Sequence, residues 1–593
     1  MKIKLLMALS LVSTMCYGTN LDTKSNKNDF RLRILHVNDT HSHLEPIRIS
    51  TKVNGIKTYL YTGGYAKISE YVKDTKKSDN HTIFLHAGDA VQGTLYYNLF
   101  GGKAGLEALN HMQIDAETLG NHAFDKGVDN MVDNFASKAT FSIVDADINV
   151  TGKDEKKFEK YVRPYKILDV DGKKVGVVGE TVDASRLSMA GPSVHFLDYI
   201  QSANRAIADL QKQGVNKIIF LTHIGYNKDR WLANHVKGID VIVGGHSHTP
   251  LGNFSNVGIK TKGKYPTVVE HDDEKTLVVT AWKWGMFVGD LNVFFDKDGK
   301  VVSYSGTPVI LSGDKFLRKN SKGKKREVNA TVKAQIVDFI SKQKDIRIEK
   351  PDSEIAAIIN KYKPQVDKMM QKTIGQASAY LPHSRLPGVV DQDNGEVLPH
   401  GSLIAPLVAL GMYEKAYEYS HGAVDFSLQN AGGVRHSIDE GNVTYGSIQT
   451  MLPFGNTLVT LNMKGSDIKT MIENAIDRAY IKKNDTGAFP YLGNAKFTFD
   501  AKAPLGSRVA EFKIKDKSGK WQDLVPSKTY VIATNSYIAG GGDYYSEMTK
   551  FATKKYDTGF VDNEDFIDYV KRHKVIKPLP EDELPVTVVN ANK

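Results

Sequence analysis

The sequence predicts an α/β protein of two domains joined by a helical segment, and three observations carry that reading. Between Arg31 and about Asp296, short apolar runs rich in β-formers end repeatedly in clusters of polar residues. This is the pattern of buried strands that deliver functional groups from their ends. From Glu327 to about Lys372 the texture changes to charged sequence with helical periodicity, and from about Ile374 onward helical and strand-like runs mix again. At 593 residues the chain also exceeds what one hydrophobic core organises.

The first element is an export signal. "MKIKLLMALSLVSTMCYG" has two lysines, an apolar run from Leu5 to about Val12 and small residues ending at Gly18. It reads as a secretory signal peptide over 1–18, cleaved after Gly18, and no other stretch approaches the roughly 20 apolar residues of a transmembrane helix. The expected destination is outside the cytoplasm, in a periplasm. Cys16 is the only cysteine, so cleavage leaves a chain without disulfides, zinc-thiolate sites or a cysteine nucleophile. A net charge of +10 includes Lys2 and Lys4 of the leader, and the remaining lysines are dispersed. Even "KNSKGKKR" at Lys319–Arg326 reads as a solvated loop, so a nucleic-acid polymer is not an expected partner. The dispersed positive field instead favours encounter with a small anionic substrate.

Strands follow in order. "RILHV" runs into "NDTHSH", "TIFLHA" into "GDAVQG", "KIIFLTH" into "IGYNKD" and "DVIVGG" into "HSHT", while "KVGVVGE", "TLVVTAW" and "LNVFFD" add further strands. The polar ends supply Asp39, His41, Asp89, Asn121, His223, His246 and His248. Carboxylates, imidazoles and one amide oxygen suit Zn²⁺, Mn²⁺ or Fe. Seven donors exceed the needs of one catalytic ion, and two ions sharing one carboxylate would use them all. His36 and His86 lie inside apolar runs and read as core histidines.

The ordered set D-x-H, G-D, G-N-H, H and G-H-x-H resembles the signature of the calcineurin-like metallophosphoesterases. The resemblance implies a β-sandwich flanked by helices and two divalent metal ions, Zn²⁺ or Mn²⁺. Asp39, His41 and His248 with bridging Asp89 would hold one ion, and Asn121, His223 and His246 with the same Asp89 the other. His122 would face the substrate phosphate and Asp125 would orient it. Ala123 stands where a glutamate is common, and His248 where many nucleotidases carry Gln or Asn.

The connecting segment contains "SEIAAIINKYKPQVDKMMQKTIG", read as one helix starting at Ser353 and stopped by Gly375. Beyond it, "LIAPLVALGMYEKAYEY" reads as a helix and "TYVIATN" as a strand. "LQNAGGVR", "MLPFGNTL" and "TNSYIAGGGDYY" resemble the C-terminal domain of the periplasmic 5′-nucleotidase and UDP-sugar hydrolase family. By that resemblance Phe454 and Tyr537 clamp a base, Asp543 contacts ribose hydroxyls, and Asn430, Arg435 and Arg385 bind the nucleoside side and the phosphate. Aromatic faces stack on any base, and a guanidinium forks onto phosphate. "SRLPG", "QNAGGVR", "LPFGNTL" and "TGAFPY" look most like the NAD nucleotidases of that family. Tyr544 follows Asp543 where glycine is frequent.

The expectation is therefore an α/β hydrolase with a leader over 1–18, a metallophosphoesterase domain over 19–326, a helical linker over 327–372 and a C-terminal α/β substrate-binding domain over 373–593. It would remove phosphate from nucleoside 5′-monophosphates, with the pyrophosphate of NAD or UDP-sugars as a further substrate. The resemblance also implies rotation of one domain against the other about the linker. Alternatives on the same scaffold are a 2′,3′-cyclic-nucleotide phosphodiesterase, a sulfur-ester hydrolase or a non-catalytic surface binding protein. Oligomeric state is not fixed by the sequence, and a monomer is the default.

Overall fold

The computed structural model describes residues 30–182, 193–271, 274–320, 325–391 and 395–590. The leader reading lies outside the described residues, as does the middle of the lysine-rich stretch, 321–324. Among the described residues no helix is long and apolar enough to cross a membrane.

Two large sheets organise the N-terminal half, beside a smaller five-stranded sheet and a two-stranded one. The first runs in the order Val301–Gly306, Gly289–Phe295, Phe30–Val37, Thr82–His86, Ala116–Thr118, Ser142–Val144, Val162–Arg163. The second runs Thr267–His271, Glu274–Val279, Val241–Gly244, Ile218–His223, Lys173–Thr181, Tyr165–Val170. Because side chains alternate across a strand, Leu32, Ile34, Ile83 and Leu85 of the first sheet meet Val175, Val177, Ile219, Leu221, Val241 and Val243 of the second in one core. The outward set of the second sheet, including Val178, Phe220 and Ile242, packs on helices Tyr199–Lys212 and Tyr226–His235. Both faces of these strands are covered, which is why they read as continuous apolar runs. This is the expected sandwich with helices outside it.

Phe30–Val37, Thr82–His86, Ala116–Thr118 and Ser142–Val144 are mutually parallel neighbours, as are Lys173–Thr181, Ile218–His223 and Val241–Gly244. Their carboxyl ends emerge on one rim, where open α/β sheets place their ligands.

The connecting segment differs from the single helix expected. It holds helix Ala330–Ser341, strand Ile346–Ile348 and helix Ser353–Met370. The last helix starts at Ser353 as expected, and Asp352 caps it, its carboxylate accepting from the amides of Glu354 and Ile355. A carboxylate at that position also complements the helix dipole. Gly375 is not the stop. The helix ends at Met370, and Gly375 lies inside strand Thr373–Ala377, where a Cβ would meet Val570 at 2.7 Å.

In the C-terminal half a five-stranded sheet runs Pro490–Gly493, Phe426–Asn430, Thr529–Asn535, Thr457–Lys464, Thr553–Val561. Helix Ile404–Tyr419 is apolar around most of its circumference because it is wedged between this sheet and helix Asp562–His573.

Candidate metal centre and aromatic clamp

The rim of the sandwich gathers all seven predicted donors. Asp39 and His41 follow strand Phe30–Val37, Asp89 follows Thr82–His86, and Asn121 follows Ala116–Thr118. His223 is the last residue of Ile218–His223, and His246 and His248 follow Val241–Gly244. Five of the seven, Asp39, His41, Asp89, His246 and His248, have φ between 44° and 70°. Left-handed backbone in non-glycine residues costs of order 1 kcal/mol each and is kept where a site requires it. Glycines in the motifs make room. A Cβ on Gly120 would stand 2.0 Å from Asp89 Oδ1, and one on Gly88 would stand 2.5 Å from His223 Nδ1.

Donor atoms fall into three groups: Asp39 with His41 and His248, Asp89 with His223 and His246, and between them His41 with Asp89 and His122. His248 Nε2 is 3.2 Å from Asp39 Oδ1, His41 Nε2 is 3.1 Å from His248 Nε2, and His223 Nε2 is 2.9 Å from Asp89 Oδ2. Asp89 reaches the first group as well, 3.9 Å from His41 Nε2. A shared carboxylate between two sites is the arrangement that two cations need.

The surroundings fit cations. His223 Nδ1 donates to the Ala87 carbonyl at 2.8 Å, which fixes the ring so that Nε2 is the nitrogen turned toward Asp89. Asn121 Oδ1 and His223 Nε2 are buried and make no hydrogen bond. Orphaned acceptors of this kind are costly unless a ligand completes them. Burial pushes the Asp39 carboxyl up, but His248 and His223 outweigh it and hold the group below the ordinary carboxylate range.

His122 joins only the group with His41 and Asp89, and its other ring nitrogen is taken up by a carboxylate. Its Nδ1 is 2.8 Å from Asp125 Oδ2, and its backbone N–H donates to Asp89 Oδ1 at 3.1 Å. Burial lowers the imidazole, but Asp125 and then Asp89 overcome that and raise it to about 10. The His122–Asp125 pair is the one expected.

Sequence reasoning did not find what covers His122. Gly559, from the last strand of the C-terminal sheet, lies against its Nε2, and Asp557 contributes to the field at both His122 and His246. Lys283 is half-buried near Asp562, Asp557 and Asp39; desolvation lowers its ammonium to about 8. "KKYDTGFVD" carries only a turn signal, and no local pattern announces such a contact.

The clamp residues form a second cluster. Phe454 is 43% exposed and Tyr537 50% exposed, unusual for such large rings. Tyr537 donates its hydroxyl to Asp543 Oδ1 at 2.8 Å, and Asn430 Nδ2 donates to Asp543 Oδ2 at 2.7 Å. The Arg435 guanidinium lies 5.7 Å from the Phe454 ring centroid. Its pKa is lowered by burial and then by the charge of Arg385, which itself reaches Thr486 Oγ1 at 3.4 Å. Thus the six predicted binding residues share one patch. Among the described residues no hydrogen bond or ion pair joins any of them to a metal-donor side chain.

A β-sandwich whose parallel strands deliver two histidine–carboxylate sites sharing one aspartate is the architecture of a metal-dependent phosphoester hydrolase. Residues 32–250 match the calcineurin-like phosphoesterase model, and residues 388–550 match the 5′-nucleotidase C-terminal domain. A probable 5′-nucleotidase of Treponema pallidum is 32% identical over 578 residues, spanning 95% of this chain and 96% of that protein. The NAD 5′-nucleotidase of Haemophilus influenzae is 34% identical over 558 residues, spanning 91% and 90%. The solved structure of the Haemophilus influenzae NAD nucleotidase superposes with a TM-score of 0.77, at 32% identity over 95% of this chain and all of that one. The chain belongs to the 5′-nucleotidase family, with both of its characteristic domains.

Proposed function

We propose that the protein is an exported 5′-nucleotidase that hydrolyses nucleoside 5′-monophosphates to nucleoside and phosphate. The observation that carries this reading is the coexistence of a complete seven-donor centre with an exposed aromatic pair, Phe454 and Tyr537, bracketed by Asp543. A sulfur-ester hydrolase or a non-catalytic binding protein has no use for both.

Asp39, His41, His248 and Asp89 would hold one divalent ion, and Asn121, His223, His246 and Asp89 the other, Zn²⁺ or Mn²⁺ by donor type. Such ions supply Lewis acidity toward the phosphate oxygens and the attacking water. Phe454 and Tyr537 sandwich the base, Asp543 accepts from ribose hydroxyls, and Arg435 with Arg385 neutralises phosphate. Asn430 holds Asp543 in place by its hydrogen bond. His122, kept cationic by Asp125, stabilises charge on the phosphoryl group or protonates the leaving 5′-oxygen through Nε2. That atom faces Gly559 here. Substrate therefore requires the two halves to move, with residues 327–372 as the hinge region.

The similarity to two proteins named for NAD supports a further activity, cleavage of NAD to AMP and NMN followed by dephosphorylation of both. Purified protein supplied with Zn²⁺ or Mn²⁺ tests both readings on a panel of nucleoside monophosphates, UDP-glucose, 2′,3′-cyclic nucleotides and NAD. Phosphate release from AMP is expected, and NMN should precede nicotinamide riboside in the NAD reaction. Rapid AMP hydrolysis beside intact NAD rejects the second reading alone. Inactivity on every monophosphate, with activity on another ester, rejects the first.

A further inference from the structure

A cleft of 410 Å³ opens between the sandwich and the connecting segment, away from the metal donors and the clamp. Leu44, Pro46 and Ala66 form one wall, and Ile348, Pro351, Ala356 and Ile359 form the other. Lys67 also lines it and is only 5% exposed.

Every other charged residue of the cleft has a partner. Glu45 pairs with Lys363 at 3.0 Å, Asp314 with Lys333 at 2.8 Å, Glu349 with Arg347 at 2.9 Å and Lys350 with Glu70 at 2.7 Å. Lys67 alone has no ion pair or side-chain hydrogen bond among the described residues. Burial lowers its ammonium to about 8, and no carboxylate acts on it to oppose that. The stem of Lys67 is packed away while its ammonium, unpaired, is left to the cleft, where a counter-charge would be favourable.

Backbone geometry adds to the charge. Lys67 stands in the first turn of the 14-residue helix Tyr65–Ser78, whose start lines the cleft through Gly64 and Ala66. That helix has no side-chain cap and no acidic residue in its first turn. The Tyr65 amide already donates to the Leu44 carbonyl and the Lys67 amide to the Gly64 carbonyl, so Ala66 N–H is the first-turn amide left for an anion, in the partial positive charge of the helix start.

We propose that this cleft binds an aliphatic monocarboxylate of medium chain length, its carboxylate on the Lys67 ammonium and the Ala66 amide and its chain along the apolar walls. One unpaired positive charge calls for one negative charge. A phosphate dianion would bring excess charge beside Glu45, Asp314 and Glu349, and the aliphatic walls offer it no further donors. The two walls belong to the sandwich and to the connecting helix, so the bound chain also bridges them.

Isothermal titration of the full metal-loaded protein with octanoate, below its micellar concentration, tests the site. One octanoate per chain is expected, with 1-octanol and inorganic phosphate each binding at least ten-fold more weakly. Lys67→Met keeps the side-chain length and should weaken octanoate by about ten-fold or more, the worth of a charge-assisted hydrogen bond. Ala356→Phe, which fills the cleft from the opposite wall, should do the same and keeps the test valid if Lys67→Met does not fold. Absence of octanoate binding overturns the proposal. So does equal affinity in both variants and the parent, or phosphate binding as tightly as octanoate.

Discussion

A methyl group placed on Gly559 would stand 2.0 Å from Nε2 of His122. The two residues are far apart in the sequence and belong to different halves of the protein, yet the backbone of one closes over the reacting edge of the other. The same interface is held at its margin by Asn98, which donates to Glu564 at 3.0 Å.

That margin gives the first prediction. Asn98→Cys with Glu564→Cys places a thiol on each half, in a chain whose only other cysteine is Cys16. Bridging the pair with a short bis-maleimide should reduce kcat at least ten-fold, and each single variant treated alike should stay active. Full turnover by a verified cross-linked sample would show that this arrangement already admits substrate.

Asp89 and His122 should separate by metal content. Asp89→Asn removes the charge that both proposed ion sites share, and the variant should lose bound metal together with turnover. His122→Asn removes none of the seven proposed donors; kcat should fall by roughly 10²- to 10⁴-fold with metal retained. Elemental analysis beside the kinetics distinguishes them, and loss of metal from the His122 variant would contradict the division of roles.

Phe454→Ala or Tyr537→Ala should raise KM for AMP by about ten-fold or more, following loss of stacking worth about 1–3 kcal/mol. A simple alkyl phosphate has no base to stack and should be spared. Both rings are half exposed, so the fold itself should tolerate the change. Equal losses on AMP and on the alkyl phosphate would mark the rings as structural.

A pH effect on stability follows from Thr181. Its hydroxyl oxygen lies 2.5 Å from both the Leu119 carbonyl and Asp145 Oδ2. A hydroxyl has one proton, so when it serves Leu119 the carboxyl must supply the other. Burial pushes Asp145 up to about 6, with the buried carboxyls of Asp147 and Glu180 nearby also raised. For an acid whose folded pKa exceeds its unfolded value, the folded state holds the proton more tightly. Its stabilising contribution is complete below about pH 4, the unfolded value, and fades as pH rises through about 6. The Tm of the parent should therefore fall more steeply over that interval than the Tm of Asp145→Asn. Parallel curves would mean that Asp145 is ionised throughout.

The metal donors were legible because local chemistry writes them. Each stands at the end of an apolar run, and Gly88, Gly120 and Gly245 are demanded by close approach within a few residues of a donor. Phe454 and Tyr537 could be found only through their glycine-rich context, since an aromatic residue by itself reads as core. The start at Ser353 was legible, with Asp352 before it as the cap, but Gly375 misled: it is good punctuation in isolation, and pairing with strand Gly441–Thr444 drew it into a sheet. Asp557 and Gly559 were illegible for a different reason: their role depends on how two separately folded halves dock.

Trp284 sits at that seam. Its ring stacks on His43 with centroids 4.5 Å apart, the Lys283 ammonium lies 3.9 Å from its centroid, and its backbone N–H donates to Asp39 at 2.7 Å. The neighbours on that side come from the metal-bearing half, while Gly455, beside Phe454 in the other half, packs against the ring edge closely enough that a Cβ there would stand 2.6 Å away. If the halves part as proposed, the ring keeps its imidazole and ammonium neighbours and loses only its cover. The chain thus carries its own optical gauge: with Trp231, Trp282 and Trp521 replaced by Phe, a red shift in the remaining indole emission times the opening directly, without any attached label.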